Sequence, residues 1–339
     1  MLQEFKFAPA VYQPSDFWQA LNKFHMTQLS TLGFANFKRT VNMRYFNWSV
    51  FGIMVHQLSI VWYELMKGNL YPLYKSQLLK SKKIDDDKQF NLVTKYIYHV
   101  YVASFADHIS RLDHLCLLEK LKEPTLGNPY IISYQGKQIS QDLCNSLHEL
   151  YSIINYTGNK IRHVAELGAG YGRLAYVFLK VFKNSSYCVI DIPPALYISQ
   201  KYLSQLFPKE KIFHFRSFAS FRSIKAEFES ARIRFLMPHQ LELLPNNSFD
   251  LFINISSLHE MKRKPIKNYL LQINRLCNGF FYTKQWIRSI IKENNHISHD
   301  NYPIPKAWIQ IYKRIPHPIQ KMFFDALFQT NHKKSYSIH

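Results

Sequence analysis

Cysteine is scarce in this 339-residue chain: Cys116, Cys144, Cys188 and Cys277 are scattered, with no CxxC pair. That argues against a disulfide framework and a cysteine zinc site, and a reducing compartment is the simplest reading. No run of about 18 apolar residues occurs, so no spanning helix is expected. The nearest approach, Phe46 to Met66, is interrupted by Asn47, Ser49, His56, Gln57, Ser59 and Glu64. The opening stretch lacks the basic, apolar, small-residue layout of a signal peptide. A cytoplasmic protein is the expectation. Acidic residues are also in deficit, with 23 Asp+Glu against 43 Lys+Arg and a formal net charge of +20. Residues 1–160 carry 17 basic and 12 acidic side chains (+5), and residues 161–339 carry 26 and 11 (+15). Such an excess attracts polyanions, or serves only solubility. No RRM or zinc-finger signature accompanies it, so no nucleic-acid partner is expected. Peripheral contact with the anionic inner face of a membrane stays open.

What is there is 47% apolar and 16% aromatic, enough for a substantial core and two domains. Glycine numbers only 10, and three of these stand in one turn. Residues Ile161 to Arg173 read IRHVAELGAGYGR: an apolar run ends in Glu166, Gly168, Gly170 and Gly172 follow, and a helical pattern runs from Leu174 to Phe182. Strand, glycine turn and helix open a doubly wound α/β sheet. Glycine lets a ligand approach the backbone, and the helix N-terminus turns free N–H groups toward the crevice. A dinucleotide fingerprint GxGxxG would place its third glycine at Arg173; here it comes one place early, with an acid two before the first. ExGxGxG resembles the first motif of class I S-adenosylmethionine (SAM) methyltransferases. By itself the turn leaves SAM, a dinucleotide or no ligand open.

The rest of the C-terminal half alternates strand and helix. Ser186 to Asp191 reads as a second strand, and Asp191 lies 23 residues beyond Gly168, the separation at which an acid reaches the ribose of a nucleoside cofactor. A helix follows Pro193-Pro194 and stops at Pro208. Lys211 to Phe218 reads as the third strand, and Phe249 to Ile255, apolar on both faces, as the fourth. SSLHEM follows it and delivers His259 and Glu260 to the carboxyl edge. Lys262 to Cys277 is a helix closed by Asn278-Gly279 as a C-cap, and Gly279 to Trp286 the fifth strand. In the tail, PIPKAWIQIY or KMFFDALFQ supplies the reversed edge strand typical of class I methyltransferases. In many of these enzymes the loop after the third strand covers the adenine, which selects His239 and Gln240 in FLMPHQLELL.

The N-terminal half reads as mainly helical. Helical spacing joins Phe17, Trp18, Leu21 and Phe24; Phe90 to Leu121 is helical; YIISYQGK is a hairpin turning at Gly136; and Ile139 to Ile154 is a helix capped by Ser140. Lys38 and Arg39 fall in a loop, as a solvated pair or as contacts to an anionic ligand. SKKIDDDK, Ser81 to Lys88, is an exposed loop. His108 and His114 do not share a helix face, and His296, His299 and Asp300 lie in a polar loop. No metal site is expected. The boundaries expected are 1–155 for the helical domain, a lid over substrate, and 156–339 for the Rossmann-like domain.

Taken together, EPTLGNP, ISQDLCNSLHEL, VAELGAGYGRLAYVFL, VIDIPPALYISQKYL, FLMPHQLELLPNNSFDLFINISSLHEM and YTKQW resemble the sugar O-methyltransferase family over most of residues 120–290, in the same order. The resemblance implies a class I methyltransferase fold with an N-terminal helical domain, SAM as cofactor, and a sugar hydroxyl in surface polysaccharide or other glycan as acceptor. It carries Glu166, Gly168, Gly170, Gly172 and Asp191 over as SAM-site residues and His259 and Glu260 as reaction-site residues. A neutral histidine suits proton removal near pH 7, which selects His259 as base, with Glu260 orienting it or holding a sugar hydroxyl. An RNA methyltransferase and a non-catalytic SAM-binding protein are the alternatives.

Overall fold

The computed structural model describes residues 1–40, 92–158, 161–289 and 296–330. The readings of Phe46 to Met66 and of Ser81 to Lys88 lie outside the described residues. The chain forms two compact units: residues 1–23 with 153–318 and 322–339, and residues 24–152 with 319–321. The expected boundary at 155/156 falls near the observed one at 152/153. The first 23 residues, expected in the helical domain, belong instead with the C-terminal unit.

In the C-terminal unit an eight-stranded sheet runs β5-β6-β4-β3-β7-β8-β10-β9. Its strands are β3 (His163–Leu167), β4 (Ser186–Ile190), β5 (Ile212–Phe213), β6 (Ile233–Leu236), β7 (Phe249–Ile255), β8 (Cys277–Trp286), β9 (Ile309–Arg314) and β10 (Phe323–Gln329). β5 to β8 with β3 and β4 are parallel; β10 runs antiparallel to both β8 and β9. This is the expected doubly wound α/β fold, with a reversed strand next to the last parallel one. The reversed strand is KMFFDALFQ, and PIPKAWIQIY supplies the strand outside it. The central strands are buried on both faces because helices cover both, which is why they read as unbroken apolar runs.

Three expectations need correction. Lys211 to Phe218 contributes only the two-residue edge strand β5; the third strand proper is β6, Ile233–Leu236, with an unforeseen helix Phe221–Ser230 between them. Alternation in 211–218 mimicked a strand that pairs with β6 at two positions only. Gly279 is not a helix cap: the helix ends at Leu276, and Gly279 lies inside β8, where a Cβ would stand 2.1 Å from Asp250 O on β7. The run from Phe90 to Leu121 breaks in two, Leu92–Ser110 and Leu117–Lys120, with Asp113 accepting from Leu117 N at 2.7 Å and Leu118 N at 2.9 Å as the cap of the second.

Within the other unit, three segments of the motif resemblance meet. Phe37–Thr40 is a short helix, β1 (Ile132–Tyr134) and β2 (Lys137–Ile139) form the expected hairpin, and Ser140 caps the helix Gln141–Thr157 through Leu143 N at 3.0 Å. Lys38, 2% exposed, is neither solvated nor aimed at a ligand: its Nζ lies 2.5 Å from Glu123 Oε1, while Ser140 Oγ donates to Glu123 Oε2 at 2.6 Å. Arg39 donates to Asn128 O at 2.7 Å and lies 4.4 Å over the Tyr130 ring. FKRT, EPTLGNP and ISQD are therefore one structural cluster. Among the described residues no helix is long and apolar enough to cross a membrane.

Candidate functional site

The carboxyl edge of the parallel strands collects the predicted residues. β3 pairs with β4 so that Leu167 faces Ile190, and the next residues, Gly168 and Asp191, leave the sheet side by side. Gly168 N donates to Ile190 O at 2.8 Å. All three glycines of the turn have positive φ, and the reason is clearest at two. At Gly168 (φ +71°) a Cβ would lie 2.4 Å from Ser257 Oγ, because the end of β7 packs beneath the turn. At Gly170 (φ +60°) a Cβ would meet nothing within 4 Å, so space lies open above the backbone. The chain then enters the helix Arg173–Val181.

Asp191 is buried, and its carboxylate holds the turn: Gly170 N donates to Oδ2 and Ile192 N to Oδ1, both at 2.7 Å. Burial pushes its pKa up to about 7; the two N–H groups pull the other way, and the charge of Glu260 adds to the rise. Each carboxylate oxygen keeps a further lone pair for an outside donor. Glu166 is buried on the β3 face shared with Val164, and accepts from Tyr187 Oη at 2.6 Å.

In the loop after β6, Gln240 is 1% exposed and structural: Met237 N donates to its Oε1 at 2.9 Å, and its Nε2 donates to Arg216 O at 2.8 Å. Both ends of the amide hold main chain, and one N–H and one lone pair remain beyond these two bonds. His239 places Nε2 3.4 Å from Glu4 Oε1, and Glu4 also accepts from Ser217 Oγ.

The second half of the edge is a side-chain network between β7 and β8. Gln285 Nε2 donates to Asn254 O at 3.0 Å, Asn254 Oδ1 at 2.7 Å and Thr283 Oγ1 at 3.0 Å. Its Oε1 is therefore the acceptor for Ser257 N at 3.2 Å, His259 N at 3.3 Å and His259 Nδ1 at 2.9 Å. Asn254 Nδ2 in turn donates to Leu167 O at 2.8 Å, tying β7 to the glycine turn. Trp286 N, 3.2 Å from Nδ1, could be used only in the opposite tautomer; the shorter contact favours Nδ1–H. Nε2 is then unprotonated. It has no hydrogen-bond partner and lies 3.7 Å from Glu260 Oε1. The imidazole is stacked on Trp286, ring centroids 3.9 Å apart.

His259, expected as the base, is 0% exposed, whereas the Glu260 side chain is 13% exposed. Glu260 is held from above by the N-terminal segment: Trp18 Nε1 donates to its Oε2 at 2.9 Å and Ser15 Oγ to its main-chain O at 3.2 Å. Tyr12 Oη, donating to Glu242 at 2.6 Å, anchors the same segment. Sequence reasoning missed Trp18, Asn254 and Gln285. The signal for the last two was present, as polar residues inside apolar strands; nothing local marked Trp18, read only as one of an aromatic stripe.

No protein-family model matches this sequence, and no curated protein matches it. Partial structural likenesses exist. A SAM-dependent methyltransferase from Aquifex aeolicus is 14% identical, TM-score 0.35, over 53% of this chain and 88% of that one. The mitomycin 7-O-methyltransferase MmcR is 10% identical, TM-score 0.36, over 56% and 54%. CrArsM, an arsenic(III) S-adenosylmethionine methyltransferase from Chlamydomonas reinhardtii, is 16% identical, TM-score 0.33, over 50% and 63%. The chain spans less than two thirds of the last two, and at such TM-scores the likenesses decide nothing about its chemistry.

Proposed function

We propose that the chain is a SAM-dependent O-methyltransferase whose acceptor is a sugar hydroxyl, as the motif resemblance implies. The observation that carries the reading is the meeting, at one sheet edge, of an open glycine turn braced by Asp191 and a partly exposed carboxylate, Glu260, whose charge reaches Asp191. Gly168, Gly170 and Gly172 form the cradle, Asp191 offers lone pairs to ribose hydroxyls, and Glu166 and His239 border the same turn and loop. SAM, when bound, supplies a methyl group already activated on a sulfonium. The protein's part is to align the acceptor oxygen and remove its proton as the new C–O bond forms. Glu260 takes that proton. His259 Nε2, 3.7 Å behind and unprotonated, is placed to receive it, with Gln285 Oε1 holding the imidazolium from the other side. His259 thus serves as proton reservoir instead of the contacting base.

Calorimetry with SAM, followed by transfer of labelled methyl to cell-surface glycans, tests the reading. Mass spectrometry of glycans from a deletion strain should show the loss of one CH₂ per modified residue; glycans identical to the parent would defeat the sugar assignment. The +15 charge of residues 161–339 favours a second reading, RNA methylation. It requires RNA affinity that falls steeply with salt.

A further inference from the structure

A cavity of about 310 Å³ lies in the C-terminal unit against β8, β9 and β10. We propose that it holds the ring of the methyl acceptor, and that this ring is a polyol bearing one anionic group. The inference rests on the methyltransferase reading and narrows its substrate.

Size comes first. Small-molecule sites run from roughly 300 to 1,000 Å³, so this cavity suits one monosaccharide-sized ring and is too small for a dinucleotide. Its floor is aromatic: Phe281, Trp308 and Phe324 present the apolar surface on which a sugar ring packs. Two of its polar atoms lack partners. Tyr302 Oη and His299 Nδ1, both on lining residues, are shielded from water with no hydrogen-bond partner. Leaving a buried polar group unpaired costs about 1–3 kcal/mol, so a ligand hydroxyl that gained access to either atom would relieve that cost.

The cavity is wired to the proton-handling pair. Lining residue Thr283 accepts from Gln285, which accepts from His259 Nδ1. Leu258, also lining it, precedes His259, and the Glu260 carboxylate is close enough for its charge to act on Tyr302. The rim is net positive. Lys306 and Lys313 face it against one acid, Asp300, which already accepts from Ser298 Oγ. Lys313 Nζ donates to His299 O at 2.7 Å and lies 5.4 Å from the Phe324 ring, which leaves the exposed Lys306 as the rim cation turned to solvent.

The test uses calorimetry on the full chain, with and without SAM. The sugars are glucuronate and glucose 6-phosphate as carboxylate and phosphate sources of the charge, neutral glucose, and inorganic phosphate alone. A charged sugar should bind at least about tenfold tighter than glucose, and Lys306→Gln and Tyr302→Phe should each weaken it about tenfold while SAM affinity stays unchanged. Equal binding of glucose, equal binding of inorganic phosphate, unaltered variants, or no charged-sugar binding by a chain that does bind SAM overturns the cavity assignment alone. Failure of the unmodified chain to bind SAM overturns the methyltransferase reading, and the assignment with it.

Discussion

The two halves of the candidate site are built on different principles. The glycine turn from Gly168 to Gly172 is a backbone device: its shape follows from residues that tolerate positive φ, and Asp191 braces it through main-chain N–H groups. The half around Glu260 is a side-chain device, assembled from Trp18, Asn254, His259, Gln285 and Trp286, which span nearly the whole chain. The first is rigid by local conformation; the second is held by hydrogen bonds between side chains, with His259 Nε2 left over. Damage should therefore spread differently. Changes in the turn should cost cofactor affinity and stability together, and changes in the network should cost turnover.

The largest contrast is expected from Glu260→Gln, which keeps the Trp18 contact but removes the proton acceptor. Turnover should fall by about 10²–10⁴-fold, with SAM affinity changed only severalfold. Unaltered turnover would return the base role to another residue. His259→Asn should lower turnover less and shift its pH profile, because the histidine stands behind the contacting carboxylate.

Asp191→Asn comes next and probes both halves through pH. The folded pKa of about 7 exceeds that of an ordinary unfolded carboxyl. Between pH 4 and 7 the folded state therefore binds more protons than the unfolded one, and ligand-free stability is lost as pH rises through that window. A shift of this size is worth up to about 4 kcal/mol. Denaturant titrations across the window should show a flatter pH slope for Asp191→Asn than for the unmodified chain, alongside weaker SAM binding; equal slopes would mean the carboxyl is not buried as described.

Gly168→Ala should cost about 1–2 kcal/mol from the left-handed conformation alone, and more because its Cβ displaces Ser257. A lowered melting temperature and lost SAM affinity in the same variant is the signature of the backbone half. The smallest effect is expected from Trp18→Phe, which deletes one part-buried hydrogen bond to Glu260 and leaves the carboxylate its solvent contact. It should reduce turnover while leaving SAM affinity intact. Loss of SAM affinity in its place would place Trp18 with the cofactor.

Much of this molecule was legible beforehand, and the parts that were not share a cause. β4 and β7 stood out because parallel strands buried on both faces read as apolar runs, and three closely spaced glycines marked the turn after β3. β6 was missed: IRFL is four residues long, and its strand character comes from pairing with β4 rather than from any pattern of its own. The buried pairing of Lys38 and the main-chain bonds of Gln240 were hidden for a related reason. A polar side chain looks available in sequence, and only the groups that surround it reveal that its hydrogen bonds are already made.

From sequence alone came the backbone conformations and the alternation of strand and helix, since glycine, proline and runs of apolar residues act over a few neighbours. The tertiary structure alone decided which of His259 and Glu260 faces outward, which tautomer the imidazole adopts, and that the first 23 residues join the C-terminal unit. Exposure and hydrogen-bond partnership are properties of contacts between distant segments, and no short window of residues contains them.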